Sequence, residues 1–310
     1  MGKIPVGSVI ARAWHFVVRD FLNILGVSAP VLILSCVPSI LMYVPHASTP
    51  EAAMSQDPAR IAHLLPMLLP IYVAIFLLMA MQFLGIAELA LGTKRSPRWL
   101  YLSLGWPVWR LFGSILFLCF VFFLGAVAVI LGFGALGLIV KLTLGSNPAG
   151  WAAALSGAIF VVGSVALWCA FIYCIVRLIF LLIPMIAAQE PGFAVARGWA
   201  LGAGNFWRMF ALLLIVWLPL ILLEVVFIVS LFRGVSFPPP HASPEQAAAF
   251  QAAINAHALQ AVNGLFTYWY ISVPVFFAAM VLFYGFAIAT QVFAYEALKS
   301  DPVTGNTLPD

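Results

Sequence analysis

Long apolar stretches separated by short polar segments dominate this chain, at roughly residues 21–44, 67–91, 111–140, 154–188, 209–232 and 266–298. A helix needs about 20 apolar residues to cross a hydrocarbon core of ~30 Å, so each stretch is long enough to span a membrane. Backbone polar groups cannot stay unpaired in hydrocarbon, and the period-two alternation of a transmembrane barrel is missing, so the stretches are expected to be helices. The pattern predicts an all-α, polytopic membrane protein. Residues 1–300 form its single transmembrane domain and 301–310 a short tail. The stretch 154–188 would measure about 50 Å as one straight helix, so it must tilt, kink at Pro184 or project beyond the bilayer.

The polar segments set the orientation. Lys3, Arg12, Arg19, Lys94, Arg95, Arg98, Arg110, Arg177, Arg197, Arg208 and Lys299 fall on one side of a six-span layout; only Arg60, Lys141 and Arg233 fall on the other. The positive-inside rule then predicts that both termini are cytoplasmic. Trp14, Trp99, Trp106, Trp109, Trp199 and Trp207 cluster in the same basic segments, as in an interfacial aromatic belt. Single cysteines at Ala52, Gly150 and Ala248, in a cysteine-free background, should therefore react with an impermeant thiol reagent from outside. Cysteines at Ser96, Ala194 and Thr304 should not, and outside labelling at Ser96 would overturn the six-span layout.

Parts of the chain resemble each other. Ala11-Arg12-Ala13-Trp14 followed by Asp20-Phe21 matches Ala196-Arg197-Gly198-Trp199 followed by Asn205-Phe206, and Arg98-Trp99 with Trp106 and Trp109-Arg110 is a looser copy. Each reads as a short amphipathic helix in the interface, around 9–20, 96–110 and 193–208, leading into a span. Among the outer segments, the run from His46 to Ala53 resembles that from His241 to Ala248. Thr49-Pro50, Asn147-Pro148 and Ser243-Pro244 each have the form of an N-cap followed by proline at N1, so each outer segment should start a short helix. Glu88, Glu190 and Glu296 stand near the ends of the even spans. These features predict three parallel units, about 1–92, 93–189 and 190–300.

Composition supports the membrane reading: 65% of the residues are hydrophobic and 8% charged, against about 25% charged in soluble domains. The net charge of +4 follows from the sided arginines and lysines and implies no nucleic-acid partner. Cys36, Cys119, Cys169 and Cys174 lie inside apolar stretches and read as packing residues rather than disulfide or metal ligands. His46, His63, His241 and His257 face the outer side near Glu51, Asp57 and Glu245, without the spacing that fixes two ligands on one helix face. They read as loop histidines, and no metal or other cofactor is implied. Motifs of serine hydrolases, P-loop proteins and zinc proteases are missing, and no two carboxylates share a span, so the chain reads as non-enzymatic. Gly125, Ala128, Gly132, Gly134 and Gly137 give one span a small-residue surface suited to close packing.

Two charges lie within apolar stretches. Arg177 either snorkels to the cytoplasmic interface or serves a buried site, and Glu224 is either a structural hydrogen-bonder or a proton or ligand site.

The residues Arg177-Leu178-Ile179-Phe180, Pro184, Gly192, Ala196-Arg197-Gly198-Trp199, Leu201, Gly204-Asn205-Phe206-Trp207-Arg208 and Ala294-Tyr295-Glu296-Ala297-Leu298 resemble the membrane domain found beside glycerophosphoryl diester phosphodiesterase catalytic domains, and related stand-alone bacterial inner-membrane proteins. Family relatives often carry Ser at the place of Gly198, and the catalytic barrel is absent from this chain. The resemblance implies a bacterial cytoplasmic membrane, an envelope setting with phospholipid and envelope protein partners, and contact with phospholipid or glycerophosphodiester chemistry; it implies nothing about hydrolysis by this chain.

Two functional expectations follow. One is a lipid-binding or scaffolding protein whose Arg12, Arg19, Arg98, Arg110, Arg197 and Arg208 hold anionic headgroups, each basic residue adding ~1 kcal/mol beside an anionic leaflet. The other is a channel or transporter for a small solute or lipid-derived molecule, drawing on the Pro and Gly breaks in the long spans, on Glu224 and on the outer histidines His46, His63, His241 and His257.

Overall fold

A computed structural model of the chain describes residues 3–43, 58–93, 104–144, 150–232 and 243–299. Every regular element among these is an α-helix: α1 (Val6–Arg19), α2 (Phe21–Tyr43), α3 (Pro58–Ala90), α4 (Trp106–Leu144), α5 (Gly150–Ile179), α6 (Leu182–Ala187), α7 (Ala194–Leu201), α8 (Phe206–Phe232), α9 (Pro244–Thr267) and α10 (Trp269–Lys299). Six of the helical segments are long and apolar enough to cross a membrane, and they coincide with the six stretches expected from sequence.

The expected 154–188 span divides. α5 ends at Ile179, a turn occupies 180–181, and the six-residue α6 follows. Pro184 explains the position of the break, because proline lacks an N–H and its ring collides with the carbonyl four residues earlier, at Phe180. α6 is buried from end to end and packs against α3, α4, α5, α7 and α10, which makes it the hub of the bundle. Its C-terminus is closed by a Schellman-type bond from Glu190 N–H to Met185 O (3.1 Å). Gln189 takes the left-handed position there, with φ 55°. That conformation costs a non-glycine residue about 1–2 kcal/mol, and here it turns Glu190 toward α10.

Two of the three expected interfacial helices are separate elements. α1 and α7 each precede a span, broken from it at Asp20 and at 202–205. The third differs: Trp106, Trp109 and Arg110 form the first turns of the long helix α4, while residues 94–103 lie outside those described. No proline or glycine follows Trp106-Pro107 for several residues, so nothing interrupts the helix once it starts. Of the expected outer helices, the one at Ser243-Pro244 is present as α9. Ser243 and Gln246 form a reciprocal capping box, Gln246 N–H to Ser243 Oγ at 3.3 Å and Ser243 N–H to Gln246 Oε1 at 3.0 Å. It is longer than expected, with 24 residues reaching almost to α10. Thr49-Pro50, Asn147-Pro148, His46 and His241 lie outside the described residues. The order short helix, long helix, long helix recurs in α1–α3 and in α7, α8 and α10, with α9 inserted in the second set.

The packed core lies mostly toward one end. Among the residues whose burial is described, buried positions stop at Leu118 on α4 and at Val216 on α8, and they begin at Val176 on α5 and Val281 on α10. Arg12, Arg19, Arg110, Arg177, Arg197, Arg208 and Lys299 are at this packed end, together with both described termini. In hydrocarbon an apolar contact gains little from leaving lipid, so close packing must supply the cohesion. Gly198 shows how: a Cβ there would sit 3.8 Å from Met185 Sδ and 4.0 Å from Arg177 O, so α7 lies almost backbone to backbone on the α5–α6 corner. Ala194 is buried in the same contact. A cysteine at Ala194 would be shielded whichever side it faced, and the exposed Ala196 is the better labelling site in this segment.

Aromatic residues mark a second level. Tyr268, Trp269 and Tyr270 are exposed at the start of α10, and Trp14 meets Phe286 edge to face further along it. From Trp269 to Phe286 the helix advances about 25 Å, near the thickness of a hydrocarbon core. α4, with 39 residues, is about 58 Å long, roughly twice that thickness.

Candidate functional site

At the packed end the charged side chains sort into three groups. The first surrounds Glu190, which follows α6 and whose side chain is 9% exposed. Arg197 of α7 reaches its Oε2 at 2.8 Å, Lys299 of α10 its Oε1 at 3.2 Å, and the Tyr295 hydroxyl donates to Oε1. Arg110 of α4 clamps the backbone of the same turn, donating to Glu190 O at 2.6 Å and to Gly192 O. Burial alone would raise the Glu190 carboxyl. The hydrogen bonds from Tyr295 and Lys299 and the Arg197 and Lys299 charges together outweigh it and hold the group below its ordinary range. The group joins three helices through one carboxylate, so its chemistry is that of a clasp.

The second group is built on Arg177, itself buried at 9% exposure. Its guanidinium donates to the Trp199 carbonyl in the last turn of α7 and to the Tyr173 hydroxyl at 2.9 Å, and it lies 4.2 Å above the Trp199 ring. A cation at a helix C-terminus satisfies orphan carbonyls and complements the helix dipole. Arg177 thus caps α7 and pins it to α5.

The third group lies on α1. Val9, Ala13, Phe16 and Val17 are buried at helical spacing, and α1 lies along the last turns of α10. Arg12 meets Glu296 at 2.6 Å with its guanidinium 4.3 Å above the Phe293 ring. Phe16 packs edge to face on Phe293. Arg12, His15 and Arg19, spaced for one face of the helix, line a cleft of ≈ 450 Å³ with Ala11, Phe16, Ala90 and Phe293. The Arg12 and Arg19 side chains remain 55% and 66% exposed, even though Arg19 also pairs with Asp20 at 2.8 Å.

The six arginines expected to hold headgroups are therefore in different situations. Arg12 and Arg19 share the cleft. Arg110 and Arg197 are engaged around Glu190, and Arg208 reaches the Ile4 carbonyl at 3.4 Å beside Asn205, whose Oδ1 accepts from Ile4 N–H at 3.3 Å. Arg98 lies outside the described residues. Glu224 sits far from all of them, in an exposed run of α8 from Ile221 to Val226. Among the described residues no three His, Cys, Asp or Glu side chains converge as metal ligands would. Sequence reasoning missed His15 as a member of the site, although its spacing from Arg12 and Arg19 was a usable signal. It treated Glu190 only as a marker of a span end.

The two stretches that match in sequence also make matching contacts. Arg12 binds Glu296 at the end of α10, and Arg197 binds Glu190 just beyond α6. Ala13 and Gly198 are both buried, and Trp14 and Trp199 are both exposed. No protein-family model, curated protein or solved structure matches the chain.

Proposed function

We propose that the chain is a multi-pass protein of the bacterial cytoplasmic membrane, with both termini cytoplasmic, whose basic end binds anionic phospholipid in a non-catalytic lipid-binding or scaffolding role. The observation that carries this reading is the pairing of Arg12 and Arg19, exposed in a cleft, with a ring of exposed tryptophans at the same end: Trp14, Trp106, Trp109, Trp199 and Trp207. Trp prefers headgroup depth, and Arg forms bidentate, charge-assisted bonds to phosphate that Lys does not reproduce. The resemblance to membrane domains beside phosphodiesterases supports the same setting. The reading includes the threefold duplication, supported by two matching pairs, Arg12 with Glu296 and Arg197 with Glu190, each glutamate standing near the end of an even span. The channel or transporter reading gains no support from Glu224, which is exposed away from the buried core.

Conservative substitution tests the proposal. Arg12→Lys with Arg19→Lys keeps the positive-inside count, so insertion should be unchanged, while anionic phospholipid copurifying with the protein should fall in mass spectrometry. Arg197→Lys with Arg208→Lys should change lipid content less, because those side chains are engaged within the protein. Lipid content unaltered by the first pair would leave these charges with orientation as their only role.

A further inference from the structure

We infer that α1 carries a discrete binding site for the phosphate of one membrane phospholipid, with the lipid's acyl chain lying along the same helix. The inference rests on the headgroup-binding reading and makes it specific: one cleft, one set of residues and a two-part ligand. α1 presents three distinct strips. Val9, Ala13, Phe16 and Val17 are buried against the bundle. Arg12, His15 and Arg19 form a basic strip that lines the cleft. Trp14 and Val18, followed by Leu22 just past the Asp20 break, form an apolar strip exposed by 56%, 58% and 67%.

Chemistry separates the roles of the two exposed strips. The cleft is of a size common for small-ligand sites, which run from about 300 to 1,000 Å³. Arg12 is already oriented, one NH₂ held by Glu296 and its face stacked over Phe293. A guanidinium has five N–H donors, so several remain for a second acceptor. Arg19 is held through its Nε and one NH₂ by Asp20. His15 stands between the two, exposed, with no hydrogen bond to any described residue. Two pre-oriented guanidiniums flanking an imidazole suit a phosphate oxyanion. Glu296 and Asp20 offset part of the positive charge, which favours a singly charged phosphodiester over a doubly charged free phosphate. The adjoining strip of Trp14, Val18 and Leu22 offers nothing to an inorganic ion and a complementary surface to an acyl chain. A phospholipid would engage both strips at once; inorganic phosphate would engage only one.

The experiment uses the full-length protein in mild detergent. It is titrated separately with dioleoyl-phosphatidylglycerol, with dioleoyl-phosphatidylcholine and with inorganic phosphate, and adducts are read by native mass spectrometry. Wild type should retain phosphatidylglycerol over phosphatidylcholine. His15→Gln with Arg19→Gln should weaken phosphatidylglycerol about tenfold, as expected for losing a charge-assisted contact. Val18→Ser with Leu22→Ser should also weaken it, and both pairs should keep the wild-type thermal midpoint because all four side chains are exposed. Retention of phosphatidylglycerol unchanged by the His15/Arg19 pair would sink the cleft while leaving a more diffuse headgroup collar standing. A wild type that does not discriminate between the two lipids would remove the broader reading as well. Inorganic phosphate binding as tightly as phosphatidylglycerol, with no effect of the Val18/Leu22 pair, would overturn the assignment to a phospholipid.

Discussion

Replacing Glu190 with alanine should be the most damaging single change at the packed end, lowering stability by about 2–3 kcal/mol. Removing one partner of a buried ion pair costs about 3–5 kcal/mol where the other charge is stranded. The loss here is smaller because Lys299 and Arg197, 65% and 36% exposed, can regain water. The Tyr295 hydroxyl cannot do so as easily, since Tyr295 is 2% exposed. Glu190→Gln keeps an acceptor for that hydroxyl and should cost less. The check is the thermal midpoint of the detergent-solubilised protein, followed by tryptophan fluorescence; a midpoint for Glu190→Ala within a degree of wild type would refute the clasp. The direction with pH also follows. The Glu190 carboxyl is held below its ordinary value in the folded protein. Its contribution is therefore fully present above the unfolded-state value near 4.3 and is lost as pH falls below that, through the folded-state value. Wild type should lose stability over this acid range more steeply than Glu190→Gln.

Gly285→Leu is expected to be the second large effect, and it should reach the lipid cleft. A Cβ at this position would lie 3.1 Å from Ile24 Cδ1 and 3.3 Å from Val17 Cγ2, where α10 meets both α1 and α2. Alanine asks those side chains to give a few tenths of an ångström. Leucine adds three more carbons to a full contact and should cost about 1–3 kcal/mol through overpacking. Since Val17 belongs to the buried strip of α1, the wedge should also displace α1 and lower retention of anionic lipid. Adding Ile24→Ala should recover part of both losses, a coupling expected only of residues in direct contact. A Gly285→Leu protein with wild-type midpoint and wild-type lipid would contradict this packing.

The six spans were legible because a membrane solvent imposes one strong rule, about 20 apolar residues per crossing, that any window of sequence exposes. The presence of α1 and α7 was legible too, from their basic and tryptophan residues, but the expected segment 193–208 runs past the end of α7 at Leu201 into α8. The separate identity of α6 was only half visible. Pro184 signalled a disturbance, but not that the disturbed segment would become the buried hub of the bundle. The Glu190 clasp was not legible, since its partners Tyr295 and Lys299 lie 105 and 109 positions away and nothing local links them. Arg177 was ambiguous for the same reason: its capping partner, the Trp199 carbonyl, is a backbone atom that any residue could have supplied. His15 was overlooked although its spacing puts it on one helix face with Arg12 and Arg19; the cleft that the three line comes only from the packing of α1 on the bundle.

The seating of α1 on α10 sets a timetable for biosynthesis. α1 leaves the ribosome well before its main docking surface around Gly285, Phe293 and Glu296 is made. At about 5–20 residues per second, some 15–50 s separate the two events. Through that interval the buried strip of α1, with Phe16 and Val17, has no permanent partner and must wait at the membrane surface. A nascent chain arrested before α10 emerges should therefore expose α1 to protease, and release of the arrest should protect it.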